Sequence, residues 1–202
     1  MSRFSTKELR VAAEKISNAC DDAQQFLCDA DGKLGDGDLG LTMQKGWKQI
    51  SEDAVNWDDS IAKNFFQASK SLQSACASSY GTLQATGFMA AAKYCKEKKL
   101  EAVSPSDIHP LLTEAYQAMM LRGKGELGQK SVLDILHNLS MAFEGVDEQA
   151  DLKAIAQQSV SMTLDEFRDR PNLLGRARMF PEKSIGLDDP GMLAIKVVVD
   201  AL

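Results

Sequence analysis

An apolar residue returns every three or four positions along nearly the whole chain, and the strict alternation of a half-buried strand is almost absent. That period puts the apolar side chains on one face of a helix, so the chain is constrained to an all-α fold. The start signals agree. Ser5-Thr6-Lys7-Glu8 has the spacing of a capping box and opens a helix to about Leu27, with Leu9, Ala12, Ile16, Cys20, Ala23 and Leu27 as its stripe. Further helices are predicted from about Gly40 to Ile50, from a cap at Asn56-Trp57-Asp58-Asp59 to Ala75, and from beyond Thr82 to about Lys98. Ser104-Pro105 starts the next with proline at its first position, and it runs to about Arg122. Ser131 to Phe143, Asp147 to Phe167 and the very apolar Gly191 to Leu202 complete the set.

About eight helices joined by mostly short connections imply antiparallel neighbours in an up-and-down bundle. Helices that alternate direction place every second connection at the same end. Residues 31–40, 75–82, 123–130 and 171–191 are the irregular, polar and glycine-bearing stretches, and the parity of the helices assigns all four to one end. A loop as long as 171–191 is uncommon in a compact domain without a function.

The run from Asp31 to Met43 holds three aspartates and four glycines. Asp36 and Asp38 are two apart and Asp31 lies five before Asp36, so neither pair has the three-or-four spacing of a helical stripe. Carboxylates gathered by a pliable backbone repel one another unless a cation sits among them, and Mg²⁺ or Ca²⁺ suits such hard oxygen ligands. An EF-hand register fails from either start, because its third ligand falls on Gly40 and its second on Lys33 respectively. The run leads into a helix near Leu41, and a helix N-terminus attracts phosphate. Metal ligands beside a phosphate site suggest a nucleotide held through magnesium, against the plainer reading of Asp-Gly runs as turns.

The other loops carry weaker signals. Ala77-Ser78-Ser79-Tyr80-Gly81 offers hydroxyls and amides to phosphate oxygens, or simply packs closely. Arg122-Gly123-Lys124 brings cations to a glycine turn, or completes a helix C-terminus. Gly175-Arg176-Ala177-Arg178 sets two guanidinium groups in the long loop. The net charge of −6 argues against nucleic acid. No apolar stretch approaches a membrane span and no signal-peptide core opens the chain. Cys20, Cys28, Cys76 and Cys95 lack Cys-x-x-Cys spacing and fall in predicted helices, as expected of reduced thiols in a cytoplasm.

In order along the chain, these segments resemble the L subunit of the dihydroxyacetone kinases, which is also the nucleotide-binding domain of the single-chain members. The family's Gly-Asp-x-Asp-His-Gly run with an earlier Asp is matched by Asp31 and Gly35-Asp36-Gly37-Asp38-Leu39-Gly40. Its Arg-Gly-Lys-Ala stretch leading to Gly-Asp-Lys-Thr-Met-x-Asp is similar to the run from Arg122 through Gly128-Gln129-Lys130-Ser131 to Asp134. Its late motif resembles Gly175-Arg176-Ala177 with Glu182-Lys183-Ser184-Ile185-Gly186-Leu187-Asp188-Asp189-Pro190-Gly191. The resemblance covers almost the whole chain, 1–202, as one nucleotide-binding domain and a free-standing L-type subunit.

The resemblance implies a barrel-like bundle of eight helices with the nucleotide site at one end. Asp31, Asp36 and Asp38 would hold two Mg²⁺ ions bridging the phosphates of ADP or ATP. Leu39, Gly40, Leu41, Thr42, Ser78, Ser79, Gly123, Val132, Arg176, Asp189, Pro190 and Gly191 would lie around the nucleotide, with Arg176 as the catalytic cation. A K-type subunit is implied as partner, holding the carbonyl substrate. In many systems a phosphotransferase-system phosphocarrier recharges bound ADP, and in others ATP exchanges freely. Leu39 and Leu187 stand where the family has His, Gln129 where it has Asp, and Tyr80 narrows a glycine-rich stretch. These departures leave a non-catalytic nucleotide-binding regulator, contacting a transcription regulator or kinase subunit, as the alternative. His109 and His137 are read as packing or surface residues.

Overall fold

The computed structural model describes residues 3–202. Among them nine α-helices form: α1 (Thr6–Asp22), α2 (Gln24–Leu34), α3 (Leu39–Ala54), α4 (Ile61–Ala75), α5 (Ser79–Lys98), α6 (Pro105–Gly123), α7 (Val132–Ala142), α8 (Leu152–Arg168) and α9 (Pro190–Ala201). Two single 3₁₀ turns, Arg176–Met179 and Glu182–Ser184, give local order to the long connection before α9. The chain is all-α. The single bridge among the described residues pairs Phe4 with Val103, and no described helix is long and apolar enough to cross a membrane.

Each helix from α3 to α8 packs on its successor, and α9 packs back on α1, which packs on α3. The bundle is therefore a closed ring rather than an open layer. Its interior is filled by Met43, Trp47, Ile50, Leu72, Leu139, Phe167 and Met192. Burying each such side chain contributes about 1.5–3 kcal/mol, which is what orders the short helices. Cys20, Cys28, Cys76 and Cys95 are free thiols, and all but Cys28 are buried. Burial pushes the Cys20 thiol up to about 12, so it packs as a small apolar group.

The expected first helix is broken in two. At Ala23 the backbone flattens to φ −88° and ψ 3°, and a second helix carries the chain on to Leu34. Asp31 thus sits on the last turn of α2, not in a loop, and the irregular acidic stretch shrinks to residues 35–38. Spacing along the sequence missed this, because aspartate and glycine are tolerated near a helix end and Lys33 there complements the dipole.

Gly40 is where α2 and α3 touch. A methyl group on it would overlap the Gln24 carbonyl and reach to 2.8 Å of the Cys28 sulfur. Neither a backbone carbonyl nor the helix behind it can yield cheaply. Gly40→Ala is expected to destabilise the bundle by about 3 kcal/mol, the upper part of the range for overpacking. It should appear as a lower urea midpoint with unchanged slope. An unchanged midpoint would mean that α2 and α3 are not held this close.

Candidate functional site

Four connections meet at one end of the ring, those preceding α3, α5, α7 and α9. A cavity there is lined by Leu39, Ser79, Val132 and Pro190, which are the first residues of those four helices. Four helix N-termini therefore ring one space. Each helix N-terminus carries about half a positive charge, so the ring attracts an anion from several sides.

The acidic group lies at the edge of this ring. Asp31, Asp36 and Asp38 each bring a carboxylate oxygen within 4.8 Å of the others. Asp31 reaches across from α2 to the start of α3, where its Oδ2 accepts the Asp38 amide at 3.0 Å and the Leu39 amide at 3.3 Å. It thus caps a helix it does not belong to, and Asp38, at the cap position, makes no such bond itself. Gly37 turns the chain between the other two at φ +75°, in the left-handed region that glycine reaches without penalty. Burial, with Asp36 and Asp38 adding repulsion, pushes the Asp31 carboxyl above its ordinary range against the pull of its two amide bonds. Arg176 pairs with Asp36. Three hard oxygen donors at mutual repulsion, one of them already fixed by amides, fit a divalent cation.

Ser78 caps α5 by accepting the Gly81 amide at 3.0 Å. Its oxygen also accepts the Thr42 hydroxyl at 3.0 Å, which leaves the Ser78 proton free to donate. Asp189 caps α9 through the Met192 amide at 2.9 Å and accepts the Asn172 side-chain amide at 2.7 Å. Burial pushes its carboxyl up to about 6. The Tyr80 hydroxyl donates to the Gly191 carbonyl at 3.0 Å. Leu39, Tyr80, Leu83, Val132 and Leu174 make part of the lining apolar.

The cavity gathers Asp31, Asp36 and Asp38 with Leu39, Ser78, Ser79, Val132, Arg176, Asp189, Pro190 and Gly191. Four expected residues lie elsewhere. Gly40 is buried against α2, and Thr42 is buried behind Ser78. Leu41 is a 42% exposed helix residue, and Gly123 is exposed at the far end of its connection, beside Leu83. His109 binds the Ser140 carbonyl at 2.9 Å between α6 and α7, and His137 meets Tyr116 edge-on at 5.3 Å. Both are packing residues outside the cavity. Sequence reasoning missed Leu83, Leu174 and the buried Asn172, since an apolar or amide residue carries no signal until the fold aims it.

A family model described as the DAK2 domain matches residues 33–202. The chain is 24% identical over 180 residues to the ADP-binding subunit DhaL of PEP-dependent dihydroxyacetone kinase 1 from Listeria innocua, covering 89% of this chain and 86% of that one. It is 25% identical over 183 residues to the ADP-binding subunit DhaL of the PTS-dependent dihydroxyacetone kinase of Lactococcus lactis, covering 88% and 85%. Its fold is similar to that of the C. freundii dihydroxyacetone kinase solved in complex with AMP-PNP and Mg²⁺, with a TM-score of 0.74 and 17% identity over 100% of this chain. The chain spans about a third of the length of that kinase, 34%. With the helical ring, the matched span and two subunits similar to it over most of their length, the chain belongs to the DAK2 domain family.

Proposed function

We propose that this chain is the nucleotide-holding subunit of a kinase for dihydroxyacetone or a related short ketose. It would pass the terminal phosphoryl group of a magnesium-bound adenine nucleotide to substrate carried on a K-type partner. The observation that carries this reading is the coincidence of two opposite charge sites: a carboxylate triad whose oxygens lie within 4.8 Å and the N-termini of four helices around the same cavity. Carboxylates alone suit a cation and helix N-termini alone suit an anion. Together they suit a polyphosphate with its metal ions. The relatives' description as ADP-binding subunits supports the same choice.

Asp31, Asp36 and Asp38 would hold two Mg²⁺ ions, which supply neutralisation of the phosphate charge as the phosphoryl group moves. Ser78, with its proton free, and the first-turn amides of α5 would orient phosphate oxygens. Arg176, now paired with Asp36, would turn to the transferring group once a cation satisfies that carboxylate. The apolar lining from Tyr80, Leu83, Val132 and Leu174 would exclude water from the rest of the nucleotide. Neither histidine of the chain reaches the cavity, so the base for the acceptor hydroxyl would come from the partner. Recharging by a phosphocarrier and exchange of free ATP both leave these roles unchanged.

Nucleotide that binds only the folded chain adds about 2.7 kcal/mol at a hundredfold excess over Kd. For a chain of this size that is about 5–10 °C in Tm. A thermal melt with MgADP is expected to show this rise, and EDTA to return it to the ligand-free value. No shift with millimolar MgADP or MgATP would overturn the reading.

A further inference from the structure

The fully buried side chain of greatest volume is a lysine. Lys130 is 0% exposed and lies at the foot of the long connection between α8 and α9. Its ammonium donates to the Arg168 carbonyl at 2.8 Å, the Arg170 carbonyl at 2.7 Å and the Ser184 carbonyl at 2.7 Å. An ammonium has three donors, so none remains for a phosphate or any other ligand. Lys130 is thus not a phosphate-binding lysine, although it lies next to a residue that lines the cavity, Ser131.

The three carbonyls come from both ends of one segment. Arg168 and Arg170 stand where it leaves α8, and Ser184 stands where it returns. Further bonds follow the same seam. The Gly186 amide donates to the Arg168 carbonyl at 2.9 Å, and the Asn172 amide donates to the Ser184 hydroxyl at 2.8 Å. The Asn172 side chain joins the Lys130 carbonyl to Asp189, at 2.7 Å each, and the Leu173 amide donates to the Gln129 carbonyl at 2.9 Å. The tip of the closed loop carries Arg176, which meets Asp36. Lys130 also holds φ at +56°, a conformation that costs a side-chain-bearing residue about 1 kcal/mol and persists only where its surroundings impose it.

We propose that Lys130 is a positioning residue: its ammonium clasps residues 168–186 into a closed loop and thereby fixes where Arg176 stands over the carboxylate triad. Burying a lone cation is costly, and burial draws this ammonium's pKa down while Asp189, Asp188 and Asp169 raise it again. A methionine in its place would fill the volume but remove all three ammonium bonds, leaving the Arg170 carbonyl without a donor and the Arg168 and Ser184 carbonyls with only the Gly186 and Leu187 amides. The loop would open while the helical ring, whose core lies elsewhere, stays closed. That the clasp governs nucleotide binding rests on the function proposed above. That it holds the loop does not.

Trypsin digestion of the nucleotide-free chain separates the two. In Lys130→Met, cleavage after Arg176 and Arg178 is expected to be at least tenfold faster than in the wild-type chain, with cleavage after Lys98 and Lys99 unchanged. MgADP affinity should fall about fivefold, no further than Arg176→Ala lowers it. In an Arg176→Ala background the same substitution should weaken MgADP less than twofold, a non-additivity that general loosening would not produce. Wild-type loop cleavage in a folded Lys130→Met chain overturns the proposal, and so does full additivity with Arg176→Ala. If Lys130→Met does not fold, hydrogen exchange of the wild-type chain decides. The Asn172, Leu173 and Gly186 amides are expected to open together and more slowly than the Arg178 amide, and unprotected exchange at those three overturns the clasp. A wild-type chain that binds no MgADP would sink the nucleotide reading alone, since the trypsin and exchange results are read without nucleotide.

Discussion

Replacing Asp36 by Ala is expected to weaken MgADP binding by more than about 100-fold and to leave the helical ring intact. Even groups one step removed from a metal cost 10–100-fold in affinity when lost, and Asp36 is proposed to touch the metal itself. Asp31 is partly committed to the α3 amides, so it cannot replace the lost oxygen without uncapping that helix. Stability is another matter. The side chain of Asp36 is 36% exposed, and its partner Arg176 is 63% exposed. A pair that open contributes at most about 1 kcal/mol. Titration calorimetry with MgADP, set beside a thermal melt of the ligand-free variant, measures both quantities. Unchanged affinity would remove the metal-bridged nucleotide from the proposal. A collapsed melt would instead show that the acidic turn is part of the core.

Arg176→Ala is expected to lower phosphoryl transfer by about 1000-fold in the pair reconstituted with a K-type partner, the scale seen when an arginine acts on a transferring phosphoryl group. Its effect on MgADP affinity should stay below about tenfold, because a cation aimed at developing charge acts mainly in the transition state. Arg178→Ala is the matched control. It removes the same charge from the same turn, but Arg178 does not line the cavity, so transfer should stay within about twofold of wild type. This chain alone should transfer nothing to a free ketose, since it brings no base to the cavity. Equal losses from Arg176→Ala and Arg178→Ala would reduce Arg176 to part of a general positive field. A reconstituted pair that binds MgATP yet transfers to no short ketose would favour the regulatory alternative.

What was legible in the sequence follows from the distance over which each signal acts. Helix period and capping boxes are local, and Ser5, Ser104 and Ser131 each open a helix where their spacing places it. Parity is nearly local: counting helices was enough to assign four polar connections to one end, and the same count makes that end the one where α3, α5, α7 and α9 begin. The split of the first helix does not change the result, because α1 and α2 run on through Ala23 as one bent element in the count. The aspartates were visible as a group because their spacing fits no helical stripe.

Contacts between elements decided the rest. The family resemblance implied Gly40 and Thr42 as nucleotide residues; in the fold Gly40 is the point where two backbones touch, and the Thr42 hydroxyl bonds Ser78 from outside the cavity lining. Asp31 read as a loop residue, yet it caps a neighbouring helix from the end of its own. Lys130 read as nothing in particular, since no pattern in a single sequence shows which distant carbonyls an ammonium will meet. The sequence by itself determined the helices, their alternation and the end at which polar chemistry collects, because those depend on neighbours along the chain. Only the tertiary structure decided which side chains face the cavity and which hold others in place, because that depends on burial and on hydrogen bonds between residues 40 or more positions apart, such as Lys130 with Arg170 and Ser184.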